Sequence, residues 1–362
     1  MILWRKNDMR NKNLLFRVLT ASLFFAYCFM LFVPGGKSER VSAATTPDWV
    51  EAKAECVMEL NSRRVLYESH GDLRLPMAST TKILTAITVL ENVEQLKTKI
   101  EIPPDAAGIE GSSVYLKAGD VYTIEELLYG LMLRSGNDCA TALALYCGGN
   151  IETFSSLMNR TAQKAGALQS RFKNPHGLPC DGHYTTAHDL GLITGYAMEN
   201  PIFRTIVSTK YYQPRGWQNK NKMLQIYEGG IGVKTGYTKQ AGRCLVSAAE
   251  RDGMTLVCVV LNCPTTYERS AKLLDDAFDS YRNVKVLGAK TPLTVTEGNK
   301  ELQGKTKQDI YYPLLKEEED LIEIRTKSIK NIIKTEKTKE IIGQFEIYLA
   351  KRLLFSGNLY KL

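Results

Sequence analysis

The sequence predicts an α+β protein with a smaller, all-β domain at its C-terminal end. Up to about residue 283, helix-like runs with apolar residues three or four positions apart occur together with strand-like apolar runs. Beyond that point, polar residues alternate with Ile, Leu and Val in short stretches, as at 321–328 and 345–355. The chain has 362 residues, 44% of them hydrophobic, which is enough for two cores. We therefore predict one domain over 45–283 and a second over 284–362.

The first 44 residues have the pattern of an export signal. Basic residues such as Arg5 and Arg17 precede the apolar run Val18–Val33, and small residues follow up to Ala44. At 16 residues, the run is shorter than the roughly 20 that a membrane-spanning helix needs. This favours a signal peptide, and an uncleaved N-terminal anchor is the alternative. We expect the protein to work outside the cytoplasmic membrane, either secreted or membrane-associated.

The formal net charge of +8 is concentrated in the same segment. Residues 1–44 contain seven basic and two acidic residues, so the rest of the chain carries only +3. That excess is too small to indicate nucleic-acid binding. Seven of the eight cysteines lie beyond this segment, and no C-x-x-C pair occurs among them. We expect buried thiols rather than a disulfide scaffold.

The elements of the larger domain follow from apolar periodicity and turn signals. A strand pair is predicted over 54–68, with a turn at Asn61-Ser62. A second tight turn, at 251–253, joins two later strands. The predicted helices cover 78–92, 124–132, 138–146, 152–166, 189–198 and 266–281, and the later strands cover 230–235, 243–250 and 255–261.

Ser79 and Lys82 form an S-x-x-K pair at the start of the apolar helix predicted over 78–92. Residues three apart share a helix face, so the Ser79 hydroxyl and the Lys82 amine can meet within one turn. Burial among apolar neighbours lowers the pKa of a lysine and lets it accept the serine proton. An N-capping serine beside a surface lysine is the alternative interpretation. A second match, at 170–173, runs into a proline-containing loop without apolar surroundings.

An S-G-N tripeptide at 135–137 is predicted to lie in a turn between two helices. In a catalytic site, Ser135 can relay a proton between Lys82 and a leaving group. Asn137 can hold Lys82 and a substrate amide. A simple helix-start turn is the alternative for this tripeptide.

A K-T-G tripeptide, Lys234-Thr235-Gly236, ends a predicted strand and occurs once. A cation and a hydroxyl on one strand edge suit a carboxylate ligand. The glycine allows a substrate and a neighbouring helix to approach the backbone closely. The G-x-x-x-x-G-K-[ST] order of a phosphate-binding loop is absent, so this lysine does not indicate nucleotide binding.

In the order S-x-x-K, S-G-N and K-T-G, on a helix, a loop and a strand, the three motifs resemble those of penicillin-recognising serine enzymes. The flanking sequence is similar to that of serine-type D-alanyl-D-alanine carboxypeptidases, the low-molecular-weight penicillin-binding proteins of peptidase family S11, over most of 75–262. The resemblance implies a penicillin-binding/β-lactamase-like catalytic domain, with an antiparallel sheet flanked by helices. It also implies acyl transfer at the D-Ala-D-Ala end of peptidoglycan stem peptides, without a cofactor.

The resemblance also assigns roles to individual residues. Ser79 is expected to attack the penultimate D-Ala carbonyl with Lys82 as base, and β-lactams are expected to acylate the same serine. The backbone N–H groups of Ser79 and Tyr237 are expected to form the oxyanion hole. Arg269 matches a family arginine that assists the K-T-G strand in holding the terminal carboxylate.

Several features depart from the family pattern. Lys220 stands where relatives often have Arg, so a bidentate contact with a carboxylate is not expected there. Tyr237 replaces a His common in relatives, although only its backbone is required. Arg134, directly before the S-G-N motif, is unusual and adds positive charge at the cleft. The family's usual C-terminal membrane helix is missing from the sequence, so we expect any membrane attachment to use the N-terminal segment.

Three competing interpretations are weaker. Three histidines between 176 and 188 lie beside a Cys and an Asp, but their spacing matches no metal-binding helix pair, so we predict no metal site. A β-lactamase typically has an E-x-x-x-N base before K-T-G, and neither Glu152 nor Glu199 has Asn four residues later. A catalytically silent wall-binding module would not need a nucleophile beside a base.

Overall fold

The computed structural model describes residues 52–297, 300–334 and 340–362. The predicted export signal therefore lies outside the described residues. Among the residues described, no helix has the length and apolar character needed to cross a membrane.

Side-chain caps start several of the helices. Thr123 and Glu126 form a reciprocal capping box, while Asn150 and Thr186 accept hydrogen bonds from first-turn backbone N–H groups. The helices of the described residues are α1 (Lys82–Asn92), α2 (Ile124–Tyr129), α3 (Asn137–Gly148), α4 (Ile151–Lys164), α5 (Ala187–Met198), α6 (Pro201–Ser208), α7 (Met223–Ile226) and α8 (Thr266–Ser280).

A five-stranded antiparallel sheet forms the centre of the larger domain. The strands of this domain are β1 (Ala54–Glu59), β2 (Val65–Ser69), β3 (Lys99–Glu101), β4 (Val121–Thr123), β5 (Tyr211–Tyr212), β6 (Trp217–Gln218), β7 (Gly230–Thr238), β8 (Gly242–Arg251) and β9 (Met254–Leu261). The sheet has the order β2-β1-β9-β8-β7, and two short pairs, β3-β4 and β5-β6, lie outside it. Strand β7, which carries the K-T-G motif, is therefore an edge strand.

Both faces of this sheet are covered, which explains why β9 is a continuous apolar run with every residue buried. Val257 and Val259 belong to the core on the face that carries α1, α3 and α5. Leu256 and Val260 belong to the core on the opposite face, against α8. The sheet is thus sandwiched between helices, as the α+β prediction requires.

The C-terminal domain is all-β, as predicted. Its core is built from alternate strand residues such as Val295, Phe345, Ile347 and Leu359. An antiparallel pair, β10-β13, and an antiparallel sheet of order β11-β12-β16-β15-β14 make up the domain. Its strands are β10 (Tyr281–Leu287), β11 (Leu293–Glu297), β12 (Lys300–Lys305), β13 (Ile310–Leu315), β14 (Ile322–Lys334), β15 (Glu340–Leu349) and β16 (Arg352–Lys361). The exact boundary between 283 and 284 stays a prediction.

The structure differs from the sequence prediction in local helix geometry. The first turn of the helix predicted over 78–92 is a 3-10 turn, Ala78–Thr81, and the end of the helix predicted over 124–132 is a π-helical turn, Gly130–Arg134. Helix α6 was not predicted at all, although Pro201 at its first turn is a recognised start signal. Both irregular turns lead directly into motif residues, a common position for such distortions.

Candidate active site

Ser79 lies in the 3-10 turn that precedes α1, half-buried at the surface of a cleft. The hydroxyl and the backbone N–H of Thr80 both donate to the Met77 carbonyl, at 2.7 and 3.3 Å, which closes this turn. Ala78 has a φ of +50°, a conformation that costs energy for a non-glycine residue and that the surrounding packing must enforce. The turn brings the Ser79 hydroxyl to 2.9 Å from the Nζ of Lys82.

Lys82 is completely buried. Its Nζ donates to Oδ1 of Asn137 at 2.6 Å and to the backbone carbonyl of His176 at 2.8 Å. Burial, and then the nearby charge of Lys234, lower the pKa of Lys82 well below its ordinary value. The predicted desolvated lysine is therefore present, and burial favours its neutral form more than in an exposed lysine.

The S-G-N motif follows the π-helical turn and leads into α3. Ser135 has a left-handed conformation, with φ of +64°, and lines the cleft. Asn137 is buried; besides its bond to Lys82, its side-chain NH2 donates to the Glu110 carbonyl at 2.6 Å. The backbone N–H of Asn137 donates to the backbone carbonyl of Ser112 at 2.7 Å. Asn137 thus links Lys82 to the loop around residues 110–112.

The K-T-G motif lies on the open edge of β7, against the turn that carries Ser79. A Cβ atom added at Gly236 would lie 2.9 Å from the Met77 carbonyl oxygen and 3.2 Å from the Ser79 backbone nitrogen, so only glycine permits this approach. Lys234 is buried beneath the cleft and donates to the Thr235 carbonyl at 2.9 Å. Burial, and then Lys220, lower the pKa of Lys234 to about 7.

One cleft of about 240 Å³ brings these motifs together. Lys82, Asn137 and Lys234 are buried next to the cleft and are not among the residues that line it. None of the residues that line this cleft in the described part of the chain is an Asp or a Glu. The lining residues are Ser79, Ser112, Ser135, Lys220, Thr235, Gly236, Tyr237, Arg243, Cys244, Thr266 and Tyr267.

The backbone N–H of Tyr237 points outward from the sheet edge. Its register partner on β8 is Arg243, whose carbonyl accepts a hydrogen bond from the Cys263 N–H on the opposite side of β8, at 2.9 Å. Because residues in an antiparallel ladder alternate between bonded and non-bonded pairs, the Tyr237–Arg243 pair exchanges no backbone hydrogen bonds. The N–H of Tyr237 therefore lies on the unpaired edge of β7, while its side chain is exposed.

Arg269 does not join this group of residues. Its guanidinium forms a bidentate ion pair with Glu55, with both N–O distances at 2.6 Å, and it is not among the residues that line the cleft. The physical reason is that Glu55 is buried on β1 and needs a cation. The structure thus corrects the expected position of Arg269 and places another arginine, Arg243, at the cleft. The hairpin between β7 and β8 is the sequence signal that would have indicated it, because it sets Arg243 opposite Tyr237.

The histidine loop packs against the Ser79 turn through His183. His183 accepts from the Lys173 N–H at its Nδ1 and lies 3.0 Å from the Thr81 hydroxyl at its Nε2. His176 accepts from the Leu178 N–H at its Nδ1. Burial lowers the pKa of His183 to about 4, and burial with Lys82 lowers that of His176 to about 3. Sequence reasoning missed the backbone carbonyl of His176 as a partner of Lys82.

The comparisons with known proteins identify the family. A family model described as D-alanyl-D-alanine carboxypeptidase (peptidase S11) matches residues 40–265. The D-alanyl-D-alanine carboxypeptidase DacF of Bacillus subtilis (strain 168) is 31% identical over 277 residues, covering 73% of this chain and 71% of that protein. The D-alanyl-D-alanine carboxypeptidase of Streptomyces sp. (strain K15) is 33% identical over 274 residues, covering 68% of this chain and 94% of that protein.

A solved structure agrees with these relatives. The crystal structure of penicillin binding protein 5 from Haemophilus influenzae matches with a TM-score of 0.71 and 26% identity, covering 88% of this chain and 98% of that one. This chain therefore belongs to the D-alanyl-D-alanine carboxypeptidase family. The resemblance inferred from the three motifs is confirmed, as is the fold class.

Proposed function

We propose that the protein is a serine D,D-carboxypeptidase that removes the terminal D-alanine from peptidoglycan stem pentapeptides through an acyl-enzyme on Ser79. Membership of the family supports the substrate class. The surroundings of Lys82 carry the assignment of the chemistry. A neutral amine has two N–H groups and one lone pair, and the two acceptor oxygens of Asn137 and His176 use both N–H groups. The lone pair is left for the third neighbour, the Ser79 hydroxyl at 2.9 Å.

In the proposed reaction, the Ser79 oxygen attacks the carbonyl of the penultimate D-alanine while Lys82 takes the serine proton. The backbone N–H groups of Ser79 and Tyr237 stabilise the developing oxyanion. Ser135 relays the proton to the departing amine, and free D-alanine leaves. A water molecule then attacks the ester with Lys82 as base and regenerates the serine hydroxyl.

The K-T-G strand is proposed to hold the terminal carboxylate. The Thr235 side chain lines the cleft and supplies a direct hydrogen bond, while Lys234 supplies positive charge from beneath it. Gly236 permits the strand to lie against the Ser79 turn. Asn137 is proposed to act mainly as a positioning residue for Lys82, because its NH2 group already donates to Glu110; a substrate amide would have to replace that bond.

β-Lactams are proposed to acylate Ser79 and to remain bound as inhibitors. A β-lactamase typically uses a carboxylate to activate the water that releases the drug, and neither Asp nor Glu is found among the cleft-lining residues described. This supports a penicillin-binding carboxypeptidase over a β-lactamase. The pairing of Ser79 with a buried, neutral Lys82 supports an enzyme over a silent wall-binding module.

We place the activity outside the cytoplasmic membrane, where peptidoglycan is found. The predicted N-terminal export signal supports this location. Whether that segment is cleaved or retained as an anchor can be tested by N-terminal sequencing of the exported protein.

Covalent labelling tests the proposed nucleophile. A fluorescent penicillin is expected to label the protein, and Ser79→Ala is expected to abolish the label. Ser170→Ala, in the second S-x-x-K match, is the matched control and is expected to keep it. Labelling of Ser79→Ala would overturn the assignment.

Product analysis tests the reaction. A pentapeptide that ends in D-Ala-D-Ala is expected to release D-alanine without added metal. Loss of activity with a chelator, and its recovery with zinc, would instead favour the metal interpretation of the histidine loop.

A further inference from the structure

A second cavity, of about 270 Å³, adjoins the catalytic cleft. Arg134, Lys220 and Lys222 contribute to its lining, and Lys220 also lines the catalytic cleft, so the two spaces are neighbours. The other residues that line it are Gln218, Asn219, Gln225 and Ile226, and none of them is acidic. We call Arg134, Lys220 and Lys222 the cationic cluster.

Within the residues that the structure describes, no carboxylate neutralises the charges of the cationic cluster. The Arg134 guanidinium donates to the Gln218 carbonyl at 3.2 Å, and the Lys220 ammonium donates to the Ser112 hydroxyl at 3.3 Å. In the described ranges of the chain, none of the three forms an ion pair with a carboxylate. Burial, and then the charge of Arg134, lower the pKa of Lys220. Unpaired like charges in a concave site raise the local concentration of anions.

The fold fixes the position of this cluster. The Lys220 N–H donates to the Leu133 carbonyl at 3.1 Å, which ties the segment to the π-helical turn before Ser135. The Tyr267 hydroxyl accepts from the Lys222 N–H and donates to the Lys220 carbonyl, both at 3.4 Å.

The two lysines alternate with two asparagines that are buried and bonded to the local backbone. The Asn219 NH2 donates to the carbonyls of Val207 and Thr209, at 3.3 and 3.0 Å. The Asn221 side-chain oxygen accepts from the Met223 N–H at 3.0 Å. The buried asparagines thus fix the backbone of residues 219–222, while the side chains of Lys220 and Lys222 line the cavity.

We propose that the cationic cluster is a second anion subsite, which binds a carboxylate on the acyl-donor part of the substrate. The inference rests on the proposed function, because it concerns the same peptide. The terminal carboxylate is proposed to lie on the K-T-G strand, whereas the cluster lies beside the Ser135 turn, so it takes a different carboxylate of that peptide. Arginine and lysine together provide the planar and point-charge donors that carboxylates accept. The subsite therefore selects acidic peptides over neutral ones.

A matched pair of peptides tests this selection. The substrates are N-acetyl-Glu-D-Ala-D-Ala and N-acetyl-Gln-D-Ala-D-Ala, which differ by one negative charge. The measured quantity is the ratio of kcat/KM for the Glu peptide to that for the Gln peptide. We expect Arg134→Gln and Lys222→Gln each to lower this ratio by about three- to five-fold, the scale of an exposed ion pair. Arg134→Lys should restore most of it.

The charge control is Lys290→Gln, because Lys290 is exposed in the C-terminal domain and lines neither space. It should leave the ratio unchanged. The second-order acylation rates of carbenicillin and benzylpenicillin provide an independent pair, since these penicillins differ by one carboxylate on the acyl side chain. The ratio of the carbenicillin rate to the benzylpenicillin rate should fall in Arg134→Gln and Lys222→Gln.

The outcomes separate the two proposals. An active protein whose ratio is unaltered in Arg134→Gln and Lys222→Gln overturns the subsite and leaves the proposed function intact. An equal loss of kcat/KM on both peptides also overturns the subsite and leaves the proposed function intact. It shows that the cluster acts through its general electrostatic field or through the terminal carboxylate, which both peptides share. Release of D-alanine from neither peptide by the unsubstituted protein, together with no labelling of Ser79, overturns the proposed function and the subsite with it.

Discussion

Replacing Gly236 with alanine tests whether the K-T-G strand must lie directly against the Ser79 turn. The added Cβ would lie 2.9 Å from the Met77 carbonyl oxygen, whereas ordinary contact begins at 3.4 Å. The strand and the turn must therefore separate by about 0.5 Å. Gly236 does not have a positive φ, so alanine adds no backbone strain and the effect is steric.

The size of the effect follows from this displacement. A misplacement of roughly 1 Å can cost about 100-fold in rate, so about 0.5 Å predicts a loss of about ten-fold. This corresponds to about 1.4 kcal/mol in the activation free energy. The loss is expected in the second-order rate of acylation by benzylpenicillin, because the proposed oxyanion hole combines N–H groups from both sides of this contact.

Thermal unfolding provides the companion measurement, since overpacking also costs about 1–3 kcal/mol in stability. Gly149→Ala is the control. Gly149 has a φ of +73° with no atom within 4 Å of an added Cβ, so it should lose about 1 kcal/mol of stability while acylating at the normal rate. A Gly236→Ala protein that acylates as fast as the unsubstituted protein would refute the proposed oxyanion geometry.

Three further outcomes are expected. The acylation rate should fall as the pH drops through the lowered pKa of Lys82. Lys234→Gln should shift this fall to higher pH, because Lys234 helps to lower the Lys82 pKa. Profiles of acylation rate against pH check both outcomes. Arg269→Gln should cost about 3–5 kcal/mol in the free energy of unfolding, because it leaves the buried Glu55 carboxylate unpaired, and adding Glu55→Gln should recover part of the loss in denaturant titrations. Because the pKa of His183 is lowered from 6.5 to about 4, the unfolded chain binds the extra proton first, so stability should fall as the pH drops from about 6.5 to 4; His183→Gln should flatten this part of the curve.

The sequence could predict the Ser79–Lys82 contact because it is local. One helical turn sets the spacing, and the apolar neighbours indicate burial of the amine. The position of the K-T-G strand was predictable only through the resemblance, because its contact with the Ser79 turn joins segments more than 150 residues apart. The motif glycine was the local signal, since it permits the close approach that the structure contains. The catalytic roles themselves stay predictions until the variants are measured.

Arg269 shows where the sequence was insufficient. Its partner, Glu55, is 214 residues away and lies on the first strand of the sheet. Neither residue belongs to a motif that would reveal the pairing, and helix periodicity gives only the face of α8 on which Arg269 lies. The burial of Glu55 on the sheet face that α8 covers explains the pairing, because a buried carboxylate needs a cation. This is a property of the assembled layers and has no local signature.

The carbonyl of His176 is a second feature of this kind, and it matters more for the mechanism. Side-chain motifs identify Asn137 as a partner of Lys82, but they contain no information about a backbone acceptor from a loop. That loop is fixed by Gly177, which has a φ of +87° and where an added Cβ would lie 1.9 Å from the Ala78 carbonyl oxygen. The turn that carries Ser79 and the loop that contacts Lys82 are therefore packed against each other. In the proposed mechanism, the His176 carbonyl takes one N–H of Lys82 and so helps to leave its lone pair for Ser79.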